Sequence, residues 1–176
     1  MATWIALLRA INLGPRSRVA MPDLHARLEA LGLEDVRTHL QTGNVVFATK
    51  RKDRERLRRD IEDAVAELVP ERPQIFLLTP AELRRAARAN PFEVGAEQQC
   101  VLVFLDAAPA AAAKRKLAEQ EDDTYAIAVK GKVVYYTYPK AAGGRRRAID
   151  FERILGVRGT ARTHKVVARL VEMAGD

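Results

Sequence analysis

The order of strand-length apolar runs and helical stripes in the first 80 residues constrains the fold more than any other feature of the chain. Trp4–Leu8 is apolar at every position, which predicts a strand covered on both faces. Leu24, Leu28 and Leu31 then follow at the i, i+4, i+7 spacing of an amphipathic helix. The predicted elements of this half are a strand at Thr3–Ile11, a helix from Met21 to Leu31, strands at Val36–Leu40 and Val45–Thr49, a helix at Asp53–Val69 and a strand at Gln74–Leu78. The order β-α-β-β-α-β is that of the split βαβ, or ferredoxin-like, unit.

Local signals support two of these elements. Gln41-Thr42-Gly43-Asn44 lies between two β-branched runs and predicts a hairpin. On the second helix, Arg58 with Glu62 and Arg59 with Asp63 stand at i, i+4. This spacing is typical of a solvated helix face crossed by ion pairs.

The second half shows a similar order of elements without detectable sequence repetition. Thr79-Pro80-Ala81-Glu82 carries a capping box, so a helix begins there and connects the two halves. The predicted elements that follow are a strand at Cys100–Leu105, a helix at Pro109–Gln120, a hairpin of Tyr125–Lys130 and Val133–Tyr138, and helices at Ile149–Leu155 and Ala161–Ala174. We therefore predict an α+β fold of two ferredoxin-like (split βαβ) subdomains, the second one ending in helices. The predicted ranges are 1–79 for the βαββαβ subdomain, 80–97 for a helical connector, and 98–176 for a second βαββα subdomain with a C-terminal helix.

Composition restricts the class of protein. The 176 residues are 48% hydrophobic, which is enough to bury the core of one domain or of two small ones. Cys100 is the only cysteine, which excludes an internal disulfide and a cysteine-based zinc cluster; on its strand it is predicted to be a buried thiol. The apolar start is too short for a signal peptide, and no run approaches the roughly 18 apolar residues of a membrane span. We expect a soluble, cytoplasmic protein that does not associate with membranes.

Positive charge is concentrated in the last third of the chain. The formal net charge is +7, and from Lys130 to Arg169 eleven Lys and Arg face two acidic residues, so eleven minus two leaves +9 there. The candidate basic surface consists of Lys140, Arg145, Arg146, Arg147, Arg158, Thr160, Arg162, Lys165 and Arg169. On the predicted last helix, Thr160 is the amino-terminal cap, and Arg162, Lys165 and Arg169 form a stripe at i, i+3, i+7.

A basic surface of this kind favours nucleic acid as the partner, because Lys and Arg that neutralise backbone phosphates release counterions. Two alternatives stay open. The cations are a solvated face that reflects genome composition, since 22 of the 30 basic residues are Arg, or they bind an acidic protein. The oligomeric state is open as well.

Topology predicts a second candidate site. In a split βαβ unit, the loop after the first strand and the hairpin after the second strand meet at one end of the sheet. This loop end collects the polar residues Arg9, Asn12, Arg16, Arg18, Gln41, Thr42 and Asn44. The first helix begins there, and its free N–H groups favour an anion such as the phosphate of a small molecule. The alternative is that Gly14-Pro15 and Gly43-Asn44 are turn residues and that the arginines are solvated.

Catalytic motifs are absent from the sequence. Ser17 is the only serine and stands in no Gly-x-Ser-x-Gly elbow, and the three histidines have no metal-ligand spacing. No Gly-x-Gly-x-x-Gly or Walker A loop occurs. The sequence therefore identifies no catalytic residue, and we predict no metal and no cofactor. An enzyme that acts on a small anionic substrate at the loop end is an alternative, and a structural or protein-interaction domain with exposed sheet edges is another.

Several segments together resemble one known family. They are Leu7–Gly14, Met21, Leu24, Leu31-Gly32, Val36–Phe47, Asn90-Pro91-Phe92, and Leu155-Gly156 through Thr160-Ala161-Arg162. In these segments the chain resembles the bacterial domain of unknown function 1697. The resemblance implies a β-α-β-β-α-β first half and candidate positions, but no reaction. The positions carried over are Arg9, Asn12, Gly14, Gln41, Gly43, Asn44, Thr160 and Arg162.

The chain departs from that family pattern in three places. Thr42 stands where the family tends to have serine, and Ala10 and Pro15 replace glycines of the first loop. The closing motif keeps Thr160 and Arg162 but differs over the next four residues, Thr163-His164-Lys165-Val166. A function carried by that motif would be altered in this chain.

Overall fold

The computed structural model describes residues 1–9, 11–12, 18–140 and 149–175. Within these residues the chain forms two four-stranded antiparallel sheets and six helices. The strands are β1 Ala2–Leu8, β2 Glu34–His39, β3 Asn44–Thr49, β4 Ile75–Leu78, β5 Gln98–Leu105, β6 Ala126–Lys130, β7 Val133–Pro139 and β8 Gly159–Thr163. The helices are α1 Met21–Ala30, α2 Arg54–Ala66, α3 Pro80–Arg88, α4 Ala111–Ala118, α5 Phe151–Leu155 and α6 His164–Ala174.

The first sheet has the strand order β2-β3-β1-β4. β1 pairs antiparallel with both β3 and β4, with Ile5 opposite Val46 on one side and opposite Leu78 on the other. β2 is antiparallel to β3 as well, so β1 and β2 run in the same direction and leave the sheet at the same end. This is the predicted ferredoxin-like arrangement.

Both faces of β1 are buried, as the unbroken apolar run predicts. Trp4, Ala6 and Leu8 point to one face and pack in a cluster with residues of α1 and α2 such as Leu28 and Ile61. Ile5 and Leu7, on the other face, are fully buried too. Burying a leucine or isoleucine side chain contributes roughly 1.5 to 3 kcal/mol, so this strand anchors the first core.

The face of α2 that was predicted to be solvated instead holds a buried carboxylate. Glu62 is only 6% exposed, accepts a hydrogen bond from the Ile75 backbone N–H at 3.1 Å, and pairs with Arg58 at 2.5 Å. The predicted partner of Arg59, Asp63, contacts Arg72 at 3.0 Å. The i, i+4 spacing identified the Arg58 pair, but the carboxylate serves to fix α2 against the start of β4.

The second sheet has the order β6-β7-β5-β8, which repeats that of the first. The chain ends in a helix, as predicted, but the expectation that no last strand precedes it is wrong, because β8 pairs with β5 and completes a second βαββαβ unit before α6 begins at His164. β8 carries one small apolar side chain, Ala161, between Thr160 and Arg162. Because β8 has so little apolar content and is directly followed by the apolar stripe of α6, its sequence lacks the alternation of apolar and polar residues that predicts a strand.

The chain divides into two compact units. One comprises Met1–Arg84 together with the chain from Arg169 onward, and the other comprises Arg85–Ala168. This division differs from the predicted ranges in two places: the boundary falls within α3 rather than on either side of a connector at 80–97, and the end of α6 belongs with the first unit. A hydrogen bond of 2.7 Å from the Arg84 side chain to the Gly175 carbonyl holds that end.

Within the part of the chain that the structure describes, no helix combines the length and the apolar character that crossing a membrane requires.

Candidate functional site

The end of the first sheet brings together the loop after β1 and the β2–β3 hairpin, as topology predicts. The Leu8 N–H donates to the Gly43 carbonyl at 2.8 Å, and the Asn12 side-chain amide donates to the Gln41 carbonyl at 2.5 Å. The next backbone N–H, that of Arg9, donates to the Gln74 carbonyl at 2.9 Å. Three separate segments therefore meet at this loop end.

Asn12 holds the loop rather than presenting its amide to solvent. Its backbone is left-handed, with φ 56°, a conformation that asparagine tolerates better than most residues. Its Oδ1 accepts from the Val19 N–H at 2.7 Å, and its Nδ2 donates to the Val19 carbonyl at 3.3 Å as well as to Gln41. The side chain thus connects Val19, which lies just before α1, to the hairpin residue Gln41.

Asn44 and Gly43 fix the hairpin itself. Asn44 is fully buried, and its Nδ2 donates to the His39 carbonyl at 2.8 Å and to the Thr42 hydroxyl at 3.0 Å. Gly43 has φ 76°, and a Cβ at this position would lie 2.7 Å from the Leu8 Cβ. These contacts explain Asn44 and Gly43 as turn residues.

The remaining predicted residues of the loop end differ in exposure. Arg18, Gln41 and Thr42 are exposed, and Arg9 is half-buried. Gly14 and Arg16 lie outside the described residues. Asp23 lies in the first turn of α1, where its negative charge competes with an external anion for the positive helix end.

The basic stripe predicted on the last helix does not exist, because its first member lies in β8. Arg162 is 8% exposed, and its guanidinium donates to the Thr160 hydroxyl and to the Ala161 carbonyl, both at 2.8 Å. Burial lowers the pKa of Arg162 to about 10. Thr160 is a buried strand residue and not a helix cap, so only Lys165 and Arg169 of the stripe lie on α6.

The other cations of the predicted basic surface differ in their contacts. Arg169 pairs with Glu172 at 2.9 Å, and the Lys140 ammonium contacts the Ala96 carbonyl. Lys165 and Arg158 are exposed. Three further members of the predicted surface, Arg145, Arg146 and Arg147, lie outside the described residues.

The end of the second sheet brings the predicted Arg158 together with two cations, Lys130 and Lys132, that the predicted basic surface did not include. The Leu105 N–H donates to the Lys132 carbonyl at 2.8 Å, and the Asp106 N–H donates to the Arg158 carbonyl at 3.0 Å. The Lys132 ammonium donates to the Asp106 carbonyl at 3.1 Å, and Lys130 precedes the turn of the β6–β7 hairpin. Recognising β8 in the sequence would have placed Arg158 at this end of the sheet, on the other side of β5 from the hairpin.

Metal and nucleophile candidates are weak in the described part of the chain. No group of three or more His, Cys, Asp and Glu side chains stands together there in a way that could hold a metal. The imidazole of His25 contacts the Val36 carbonyl at 2.8 Å. Cys100 is buried, as predicted, and burial raises the pKa of its thiol against a smaller opposing effect of the Asn90 hydrogen bond. A thiol that stays protonated is a poor nucleophile.

Comparison with known proteins places the chain in a family. The sequence model of DUF1697, a protein of unknown function, matches residues 1–135. The chain belongs to the DUF1697 family. The conserved bacterial protein SP0830 from Streptococcus pneumoniae has a similar structure, with a TM-score of 0.76, 18% sequence identity, and coverage of 98% of each chain. At this identity the similarity shows the fold alone. No curated protein matches the sequence.

Proposed function

We propose that this DUF1697 member binds a phosphate-bearing polyanion, with nucleic acid as the favoured partner, through the end of its second sheet. The observation that carries the proposal is that Lys130, Lys132 and Arg158 are exposed at that end, on two segments that are 26 residues apart in sequence (158 minus 132). Nucleic acid is the partner that the charge distribution favours, but the proposed binding surface is the end of the second sheet rather than α6.

Charge at this end favours an anion. Asp106 and Glu152 contribute two carboxylates against the three cations: Asp106 Oδ1 accepts from the Arg158 backbone N–H at 3.2 Å, and Glu152 Oε1 accepts from the Gly159 N–H at 3.0 Å. Backbone hydrogen bonds fix both cationic segments to the end of β5, so the cations lie at the same end of the sheet. Phosphate-backbone binding requires this arrangement of exposed Lys and Arg, and it needs no base-specific contact.

The loop end of the first unit supports the small-substrate alternative less well. Asn12 and Asn44 were predicted to contact an anion. Their side-chain amides instead donate hydrogen bonds to backbone carbonyls and to a neighbouring hydroxyl. Arg18 is the exposed cation among the described residues of that end. A reaction on a small anion would therefore depend on few described groups.

The test is a fluorescence-anisotropy titration of single- and double-stranded oligonucleotides at about 50 and 200 mM salt. Three phosphate contacts lower the affinity for a duplex by about 40-fold over this range. Replacing the three cations in the variant K130Q/K132Q/R158Q should lower the log–log salt slope by about three. The matched control is R27Q/R72Q/R153Q, which removes the same charge from arginines that already face carboxylates.

Two outcomes would contradict the proposal. The unaltered protein shows no binding at the lower salt concentration, or the control variant loses as much affinity as the sheet-end variant. The second outcome would assign the binding to net charge rather than to a surface.

A further inference from the structure

A groove on the first unit lies between the end of α1 and the beginning of α2, and we call it the α1–α2 groove. Ala30 and Leu31 form its side on α1, and Arg51, Lys52 and Arg56 contribute cations from the other side. Its volume is about 570 Å³, within the range of roughly 300 to 1,000 Å³ that is usual for small-ligand sites. None of these residues belongs to the end of the second sheet.

The two carboxylates in the groove already have partners inside the protein. Asp53 caps α2, where its Oδ1 accepts from the Arg56 backbone N–H at 3.0 Å. Asp60 forms an ion pair with Arg51. Because Asp53 caps the first turn of α2, the backbone N–H groups at the start of this helix are not what would bind a ligand in the groove.

Lys52 and Arg56 differ from the neighbouring cations of the same segment. Arg51 faces Asp60, Arg54 faces Glu82 at 2.7 Å, and both pairs are formed within the unit. In the part of the chain that the structure describes, neither Lys52 nor Arg56 lies within ion-pair distance of a carboxylate, and both are exposed. Two uncommitted positive charges therefore line the same groove.

We propose that the α1–α2 groove binds a phosphate group between the Lys52 ammonium and the Arg56 guanidinium. A guanidinium donates in a planar fork that fits two phosphate oxygens, and an ammonium supplies a compact second charge. Ala30 and Leu31 offer apolar contact for the part of the ligand that carries the phosphate. The site is independent of the proposed nucleic-acid surface, because it uses other residues of the other unit.

The experiment is a titration of the full chain followed by amide NMR, at constant ionic strength, with inorganic phosphate in one arm and a single-stranded oligonucleotide in the other. We expect a saturable shift of the amide signals of residues 51–56. The variant K52Q/R56Q should weaken this binding by about tenfold or more. The matched control R72Q/R153Q removes two paired arginines and should retain the shift.

The two arms distinguish the source of the phosphate. A response to inorganic phosphate supports a site for a small phosphorylated ligand, and a response to the oligonucleotide alone supports a site for a nucleic-acid backbone. Absence of a saturable shift in both arms overturns the proposal, as does an equal shift in K52Q/R56Q. The affected residues are exposed, so an unchanged circular dichroism spectrum checks that the variant is folded.

Discussion

The ends of the two sheets use the same backbone hydrogen bonds but carry different side chains. At the first end, Leu8 donates to the hairpin residue Gly43, and the next N–H donates to the residue before β4. At the second end, Leu105 donates to the hairpin residue Lys132, and the next N–H donates to the residue before β8. The two sheets therefore have equivalent ends with the same backbone hydrogen bonds. The side chains at each end determine which groups it presents to solvent.

The connections explain why the side chains differ. Residues 9–20 join β1 to α1, whereas residues 106–110 join β5 to α4. A longer connection costs more conformational entropy when its ends are fixed, and the hydrogen bonds of the Asn12 amide to Val19 and Gln41 offset this cost at the first end. The shorter connection needs no such amides, and cations occupy the rim of the second end.

The largest expected effect tests the steric difference between the two hairpins. Gly43→Ala places a Cβ against Leu8 in a left-handed backbone, and we expect a loss of about 2 to 5 kcal/mol in the free energy of unfolding. Gly131 also has a positive φ, 58°, but no atom lies within 4 Å of its Cβ position, so Gly131→Ala should cost about 1 kcal/mol. Urea unfolding followed by circular dichroism measures both. Equal losses would mean that the first end is not the more tightly packed one.

A second effect distinguishes the two sheets at a matched position. Val46 of β3 and Tyr135 of β7 stand at the same place after their hairpins, and both are buried, but only Tyr135 has an ionisable group, whose hydroxyl donates to the Ala86 carbonyl at 2.7 Å. Burial, with a further contribution from Cys100, raises the pKa of Tyr135 to about 12. Because the folded pKa exceeds the unfolded value near 10, the stability from this group is present below about pH 10 and is lost as the pH rises toward 12.

Absorbance of tyrosinate during an alkaline titration measures this effect. One of the four tyrosines should ionise late, and Tyr135→Phe should remove that step and reduce the loss of stability above pH 10. A late step that persists in the variant would assign it to another tyrosine.

The sequence predicted the order of elements wherever apolar residues were periodic. Trp4–Leu8 and the leucines of α1 mark their elements because the side chains that point inward are apolar. β8 carried no such mark, since its inward side chains are Thr160 and the buried Arg162. Because this strand was missed, the buried Arg162 was predicted to lie on the surface, and the hydrogen bonds that place Arg158 at the end of β5 were not foreseen.

The candidate residues at the loop end show a second limit of sequence reasoning. Topology predicted correctly that Asn12 lies beside Gln41, because parallel β1 and β2 leave the sheet at one end. Topology says nothing about which atoms a side chain contacts. From a left-handed backbone, the Asn12 amide bonds to Val19 and Gln41, and such a conformation depends on tertiary contacts rather than on local pattern.

The smallest expected effect compares the charged residue that follows each strand, which is Arg9 after β1 and Asp106 after β5. Asp106→Asn keeps an oxygen to accept from the Arg158 N–H but removes a negative charge beside the cations. Exposed charges interact weakly, so oligonucleotide affinity at low salt should rise by only about two- to threefold. Arg9→Gln removes a charge from the other end and should leave the affinity unchanged. If anisotropy shows the reverse, with Arg9→Gln the variant that alters affinity, the first end rather than the second binds the polyanion, and the cations around Asp106 are only solvated.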